Sequence, residues 1–400
     1  MNEKLGWKEW DKPGDKHLIN RVQWDRSEAK ALERVLETDW FGYGSVQQGA
    51  EAKFSKATGI PHVYLQNSGS ASIEVGLLAL KNKGRWAPGD KVIHPVSTFM
   101  TSISSAINLG LVPIFVENKP HTYVADSDQI SLALERHPEA RGMILPHLIG
   151  NIPDMTQITR ALGKHRFLLE DCCDTLGGTY QGKHIGNFGD VAAFSFYASH
   201  HVTSGGVGGA FATTDKDLAK IAKSLTFWGR DFRPGDDEFL KRYTYETLGL
   251  DSQMTALQAA FLSAQLDRLP KFVEDRERQF KEMTSIFADY GNFHLPETTP
   301  GAKPSWFAYP IALGEGAPFD RSQFARYLTK NGVEVRPVMC GNITLQKPMQ
   351  RVPWLSANGK NFPIGDSIER NSMFLPCWGM PENQKQDYYG ILKRFLDEYK

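Results

Sequence analysis

An α/β fold is what this sequence predicts: a large domain on a mostly parallel central sheet, followed by a smaller C-terminal α/β domain. Three observations carry that expectation. Between residues 60 and 215, short apolar runs alternate with helix-like stretches, the pattern of strands joined by crossover helices. From Thr255 onward this gives way to long amphipathic helical periodicity. The 400 residues, 41% of them hydrophobic, are enough for a large core spread over two domains.

Strands are expected at 63–65, 91–93, 112–116, 142–145, 167–169, 191–196 and 209–213, each a short run rich in Val, Ile, Leu or Phe. Helices at 70–80, 99–109, 154–162 and 216–225 connect them. A further amphipathic helix at 255–268 is closed by Leu269-Pro270, because proline lacks the N–H and crowds the preceding turn. A longer one follows at 272–290, with Val273, Phe280, Met283 and Phe287 at helical spacing. The tail holds a strand at 307–311 and helices at 322–330 and 382–399. The large domain, with an N-terminal extension, is therefore expected at 1–268. The small domain, including the linking helix, is expected at 269–400.

Composition narrows the function. Lys+Arg and Asp+Glu both number 46, and no basic run is interleaved with aromatics, which argues against nucleic acid as a partner. Residues 1–8 lack the apolar core of a signal peptide, and no apolar stretch nears the roughly 20 residues that span a bilayer. The expectation is a cytoplasmic protein with no membrane partner. Cys172 and Cys173 are adjacent, while Cys340 and Cys377 lie far off; this spacing suits neither a disulfide scaffold nor a zinc or iron–sulfur site. Buried reduced thiols and no metal are expected.

In open sheets of this type, ligands bind beyond the carboxyl ends of the strands. Asn67-Ser68-Gly69-Ser70-Ala71-Ser72 closes the first strand and opens a helix. Gly69 lets a backbone approach an anion, Ser70 adds a hydroxyl donor, and a helix N-terminus adds free N–H groups; the same run is equally a plain helix cap. Glu170-Asp171-Cys172-Cys173-Asp174 follows an apolar strand, so its acids sit at the sheet edge, as ligands or as caps of the next element. Phe99 after Thr98 is a stacking ring or a core residue. His147 in Pro146-His147-Leu148-Ile149-Gly150-Asn151 is a site residue or a structural one.

The most specific run is Ser195-Phe196-Tyr197-Ala198-Ser199-His200-His201-Val202-Thr203, followed by Gly205-Gly206-Val207-Gly208-Gly209. It resembles the cofactor-lysine segment of the DegT/DnrJ/StrS sugar aminotransferases, with His200 in the lysine's place. The Ser-Phe-Tyr-x-x-His-His-x-Thr pattern is similar to that of the NDP-4-keto-6-deoxyhexose 3-dehydratases within that family. Trp228-Gly229-Arg230-Asp231, Pro304-Ser305-Trp306-Phe307, Arg336 and Gly341-Asn342-Ile343-Thr344-Leu345-Gln346 add to the resemblance, which runs over about 35–395.

What the resemblance implies is a fold-type I aminotransferase-like architecture holding pyridoxal or pyridoxamine 5'-phosphate. Gly69, Ser70 and Ser195 match phosphate ligands, Asp171 the partner of the pyridine nitrogen, Phe99 the stacking aromatic, and Asp174 a polar position near the ring. His147, Arg230, Arg336 and Asn342 match substrate-contact positions; the three on residues 230–342 are otherwise surface ion-pair partners. Asp251 falls where a family asparagine reaches the partner subunit's phosphate, so a homodimer is implied. Two departures stand out: the glycine loop 205–209 is one residue longer than the subgroup's Gly-Glu-Gly-Gly and lacks the glutamate, and Asp251 brings a carboxylate toward a phosphate.

An imidazole cannot form the covalent tether that a lysine amine forms, but it can move a proton near neutral pH. The expected activity is therefore removal of the 3-hydroxyl of a nucleotide-linked 4-keto-6-deoxyhexose. His200 is the catalytic base, and L-glutamate regenerates the amine form. With no cluster spacing among the cysteines, the stand-alone type is expected over one fed by a reductase. Two other readings stay open. One is a sugar aminotransferase using another lysine, such as Lys183; the other is a non-catalytic cofactor or sugar-nucleotide binding protein.

Overall fold

The computed structural model describes residues 17–232, 239 and 242–399. Residues 1–8, expected to lack a signal segment, lie outside the described residues. Among those described, no helix is long and apolar enough to cross a membrane.

The main sheet contains β1 (His62–Gln66), β2 (Lys91–Pro95), β3 (Val112–Val116), β4 (Gly142–Pro146), β5 (Phe167–Asp171), β8 (Val191–Ser195), β9 (Gly209–Thr213) and β14 (Leu355–Ser356). Its order is β1-β9-β8-β5-β4-β2-β3-β14. Only β9 runs against its neighbours; the remaining pairings are parallel. Both faces are covered, which is why these strands read as continuous apolar runs. Strand alternation splits them between two cores: Leu168, Ala192 and Phe194 point into one, Leu169, Val191 and Ala193 into the other. The helix Gly69–Asn82 lies close on the second face because Gly76 has no side chain; a Cβ there would stand 2.8 Å from Val191 Cγ1.

Between β5 and β8, the short strands β6 (Thr179–Tyr180) and β7 (Lys183–His184) form a small sheet with β11 (Ala302–Lys303). The C-terminal unit pairs β10 (Phe293–His294), β12 (Tyr309–Leu313), β15 (Ser372–Leu375) and β13 (Arg336–Pro337) as an antiparallel sheet in that order. Its own core gathers Phe287, Tyr309, Phe324 and Tyr388.

Several elements differ from the sequence expectation. The helix expected to stop at Leu269-Pro270 runs unbroken over Ala256–Ala288. Leu266, Leu269 and Phe272 are buried on both sides of Pro270, so continuous packing outweighs the lost backbone bond. The strand expected at 307–311 begins at Tyr309, because the backbone at 305–307 is already used: Ser305 and Phe307 donate to Gly150 and Ile149. Helices at Arg26–Leu36, Ser45–Thr58, Ser127–Arg136 and Pro363–Asn371 are additional. The two-residue strand β14 returns from the C-terminal stretch to the edge of the large sheet.

Candidate active site

The carboxyl ends of β4, β5 and β8 lie side by side and open onto a cavity of about 670 Å³. Ser68 begins the phosphate-cup candidate. Its hydroxyl caps the helix Gly69–Asn82 by accepting the Ala71 N–H at 3.1 Å. The first-turn N–H groups of Gly69 and Ser70 have no intrahelical acceptor, and both residues line the cavity. A Cβ on Gly69 would stand 2.8 Å from Ser195 Cβ, so glycine is what lets the helix end meet the strand end. The Ser195 Oγ accepts the Tyr197 N–H at 3.3 Å, and the Ser70 hydroxyl lies 3.0 Å from Thr101 Oγ1.

Asp171 stands at the end of β5. Its carboxylate accepts the Ser102 hydroxyl at 2.6 Å and the Cys173 N–H at 3.2 Å. Its strand neighbour Glu170 points the opposite way, into the protein. There it accepts His147 Nε2 at 3.1 Å and the N–H groups of Gly186, Phe188 and Gly189 at 2.7–2.9 Å. Burial pushes this carboxyl up, but His147 and the backbone donors outweigh it and hold it below its ordinary range. His147 is fully buried, with its back to the cavity wall it helps to build.

His200 is fixed from four sides. Its N–H donates to Tyr197 O at 3.0 Å, and its carbonyl accepts Asn20 Nδ2 at 2.8 Å. Its ring packs on Phe307 at 5.1 Å between centroids. Nδ1 lies 2.8 Å from the Cys173 carbonyl, which can only accept. That contact assigns the hydrogen to Nδ1 and leaves the Nε2 lone pair as the reactive edge. Burial, with Arg276 and Arg336 adding repulsion, pushes the imidazole down to about 4. His201 turns inward and meets Ser305 O at 3.0 Å. The longer glycine loop closes without strain on side chains. Thr203 Oγ1 accepts the N–H groups of Gly205 and Gly206, and Gly205 takes φ +90°, a glycine conformation.

Asp174 also lines the cavity. It accepts the Ile149 N–H at 3.2 Å, and its other oxygen is 4.0 Å from His200 Nδ1. Burial and the nearby Asp171 push it up to about 7. Phe99 stands in the cavity wall with its ring 55% exposed, as a face for a ligand and not a core residue. Arg336 lines the far side, its Nε and Nη2 both on Glu334 Oε1.

Three sequence candidates are not among the lining residues. Asn342 is buried and holds a turn: it accepts from Thr344 and donates to Asp366 at 2.7 Å. Arg230 pairs its backbone with Tyr245 and lays its guanidinium over Phe232. Asp251 is exposed, with Gln253 Nε2 on its carboxylate at 3.2 Å. Conversely, Ser102, Cys173, Tyr197, Phe307 and Met339 belong to the site without a sequence signal that marks them, save that Tyr197 and Phe307 sit in the runs quoted above.

The donor set fits a phosphorylated pyridine: amide and hydroxyl donors at one end, a carboxylate at the other, an exposed aromatic face, and no lysine among the lining residues. Lys183 lies elsewhere, at the start of β7, with Nζ on Asn187 O at 2.6 Å.

Comparison with known proteins gives one consistent group. The model of the DegT/DnrJ/EryC1/StrS aminotransferase family matches residues 22–389. Over 345 residues the chain is 34% identical to the lipopolysaccharide biosynthesis protein RfbH of Salmonella typhimurium, covering 80% of this chain and 78% of that one. It is 33% identical to a dTDP-4-dehydro-2,6-dideoxy-D-glucose 3-dehydratase of Saccharopolyspora spinosa, over 77% of this chain and 71% of that one. A crystal structure of GDP-4-keto-6-deoxymannose-3-dehydratase with a trapped PLP-glutamate geminal diamine superposes with a TM-score of 0.87 at 23% identity. It covers 94% of this chain and 99% of that one.

Proposed function

The chain belongs to the DegT/DnrJ/EryC1/StrS aminotransferase family, and from that premise we propose that it is a pyridoxamine-phosphate-dependent 3-dehydratase of a nucleotide-linked 4-keto-6-deoxyhexose. The observation that carries this is His200, in the lysine's place, with Nε2 free beside a cavity that no described lysine lines. The 3-dehydratase names of its relatives support it.

When bound, pyridoxamine phosphate supplies an amine that condenses with a sugar ketone and a protonated ring that draws in electron density. Gly69, Ser70 and Ser195 would hold its phosphate, and Asp171 would hold a proton on its ring nitrogen. Asp171 is kept in place for that by Ser102 and the Cys173 N–H. Phe99 supplies a stacking face. His200 Nε2 takes a proton from carbon and returns it to the departing 3-hydroxyl, while Nδ1–H stays on the Cys173 carbonyl and keeps the ring aimed. Arg336, with its remaining donor, is placed for an anionic group of the substrate. L-glutamate would be the amine donor that keeps the cofactor in its amine form.

The second copy in a homodimer completes the site. Trp40, Trp228, Tyr245 and Leu248 leave large apolar side chains exposed, which supports a subunit interface. Asp251 accepts Gln253 Nε2 on its carboxylate at 3.2 Å.

The test is direct. Purified protein, pyridoxamine phosphate and a panel of NDP-4-keto-6-deoxy sugars are combined, and the sugar is followed by mass spectrometry. Loss of the 3-hydroxyl from at least one sugar is expected, and no loss from any of them contradicts the reading.

A further inference from the structure

The roles above give Asp171 a task and leave Asp174 without one. Asp174 sits on the turn after β5, three residues beyond Asp171, with side chain largely enclosed. One oxygen is fixed by the Ile149 N–H at 3.2 Å, and Ile149 adopts a φ of +57° that is unfavourable for a β-branched residue. The other oxygen faces His200 Nδ1 at 4.0 Å. That separation is too long for a hydrogen bond, and the Nδ1 hydrogen already goes to the Cys173 carbonyl. Asp174 therefore reaches the imidazole through charge, on the edge opposite Nε2.

Resting on the dehydratase reading, we propose that Asp174 is a positioning residue for His200: its carboxylate is the counter-charge that lets the imidazole hold a proton at Nε2. The other charges around the ring oppose that proton. Arg276 comes from the long helix and Arg336 from β13, and the His201 ring beside it adds no negative charge. Asp171 faces Asp174 and pushes its proton affinity up; the Cys173 thiol is buried and stays protonated. Burial raises the carboxyl and lowers the imidazole, which favours the proton on Asp174, whereas attraction between the two charges at 4.0 Å favours the carboxylate–imidazolium form. The two effects oppose each other, so the proton is not committed to one group by burial alone. The pair then titrates as a unit. The balance closes: the proton that Nε2 takes from carbon leaves with the 3-hydroxyl as water, and Asp174 keeps none of it.

The experiment uses the full chain as wild type, Asp174→Asn and Asp174→Glu. In cofactor-free protein, the ring NMR signals of His200 should show a step near pH 7 in the wild type, reporting the neighbouring carboxyl. The step should vanish in Asp174→Asn and return in Asp174→Glu. With pyridoxamine phosphate and substrate, kcat should fall about 100-fold in Asp174→Asn, a size typical of weakened acid–base catalysis. KM and the cofactor Kd should stay within about threefold, and Asp174→Glu should recover about tenfold in kcat. A step that persists in the Asn variant overturns the proposal. So does an unchanged kcat, or a loss of cofactor affinity in place of kcat. If wild-type protein removes no 3-hydroxyl, the dehydratase reading falls, and the NMR step still decides the coupling between Asp174 and His200.

Discussion

Two histidine–carboxylate pairs flank the end of β5, and they behave oppositely. His147 and Glu170 meet at 3.1 Å, wholly inside, and Glu170 also takes three backbone N–H groups. That carboxyl is held down by its partners. His200 and Asp174 stand 4.0 Å apart at the cavity edge, with one backbone donor on the acid. There the acid is pushed up to about 7 and the base down to about 4. Each pairs a histidine with a carboxylate, and the sequence spacing is similar. Four donors on its carboxylate make one pair a rivet; a single backbone donor leaves the other acid able to exchange a proton. Active sites are where groups are left with perturbed affinities in this way.

The contrast breaks most visibly at His200. Replacing it with Asn should cut turnover by about 100- to 10,000-fold while the thermal midpoint changes little, read from steady-state assays beside a melting curve. At the rivet the effects reverse. Glu170→Ala strands a buried imidazole and three N–H groups, and should lower stability by about 3–5 kcal/mol in urea unfolding. A folded, fully stable Glu170→Ala variant would remove the distinction between the pairs.

The pH dependence of stability sharpens it further, because the two acids have opposite signs. Glu170 lies below its unfolded value of about 4.3, so its contribution is full above that pH and fades as pH falls through the lower folded value. Asp174 lies above its unfolded value, so its ionisation is a cost that grows from about pH 4 to about pH 7 and then levels. Asp174→Asn should therefore be more stable than wild type at pH 8, by up to a few kcal/mol, with the advantage gone near pH 4. The smallest effect belongs to Lys183, whose exposed amine caps a turn at Asn187 O and stands over the Phe188 ring. Lys183→Ala should change stability by less than about 0.5 kcal/mol and leave cofactor binding and borohydride labelling as they are. Loss of a labelled adduct in that variant would revive the aminotransferase alternative.

Much of this was legible in the residues. All seven main strands expected from 63 to 213 are present, because their apolar runs are buried on both faces and flanked by turn chemistry. Asp171, Ser195 and His200 follow from a strand-end rule and a specific run. Other features depend on contacts that no local pattern encodes. Ser102 reaches Asp171 across 69 residues of sequence, from a helix that packs on β3 and β4. Asn20 reaches His200 across 180 residues of sequence. The passage of the long helix through Pro270 depends on tertiary burial, not propensity. Two misses did have signals. Asp25 and Glu28 form a capping box ahead of Arg26–Leu36, and Asn342 with Thr344 two residues on is an Asx-type turn. The second signal marks Asn342 as holding its own loop.

The most direct measurement is a crystal structure of the protein with pyridoxamine phosphate bound. The account predicts the phosphate at Gly69, Ser70 and Ser195, the ring nitrogen on Asp171, and His200 Nε2 within about 3–4 Å of the carbon that bears the cofactor amine. A cofactor lodged with that carbon turned away from Nε2, or anchored to a lysine side chain, would contradict it.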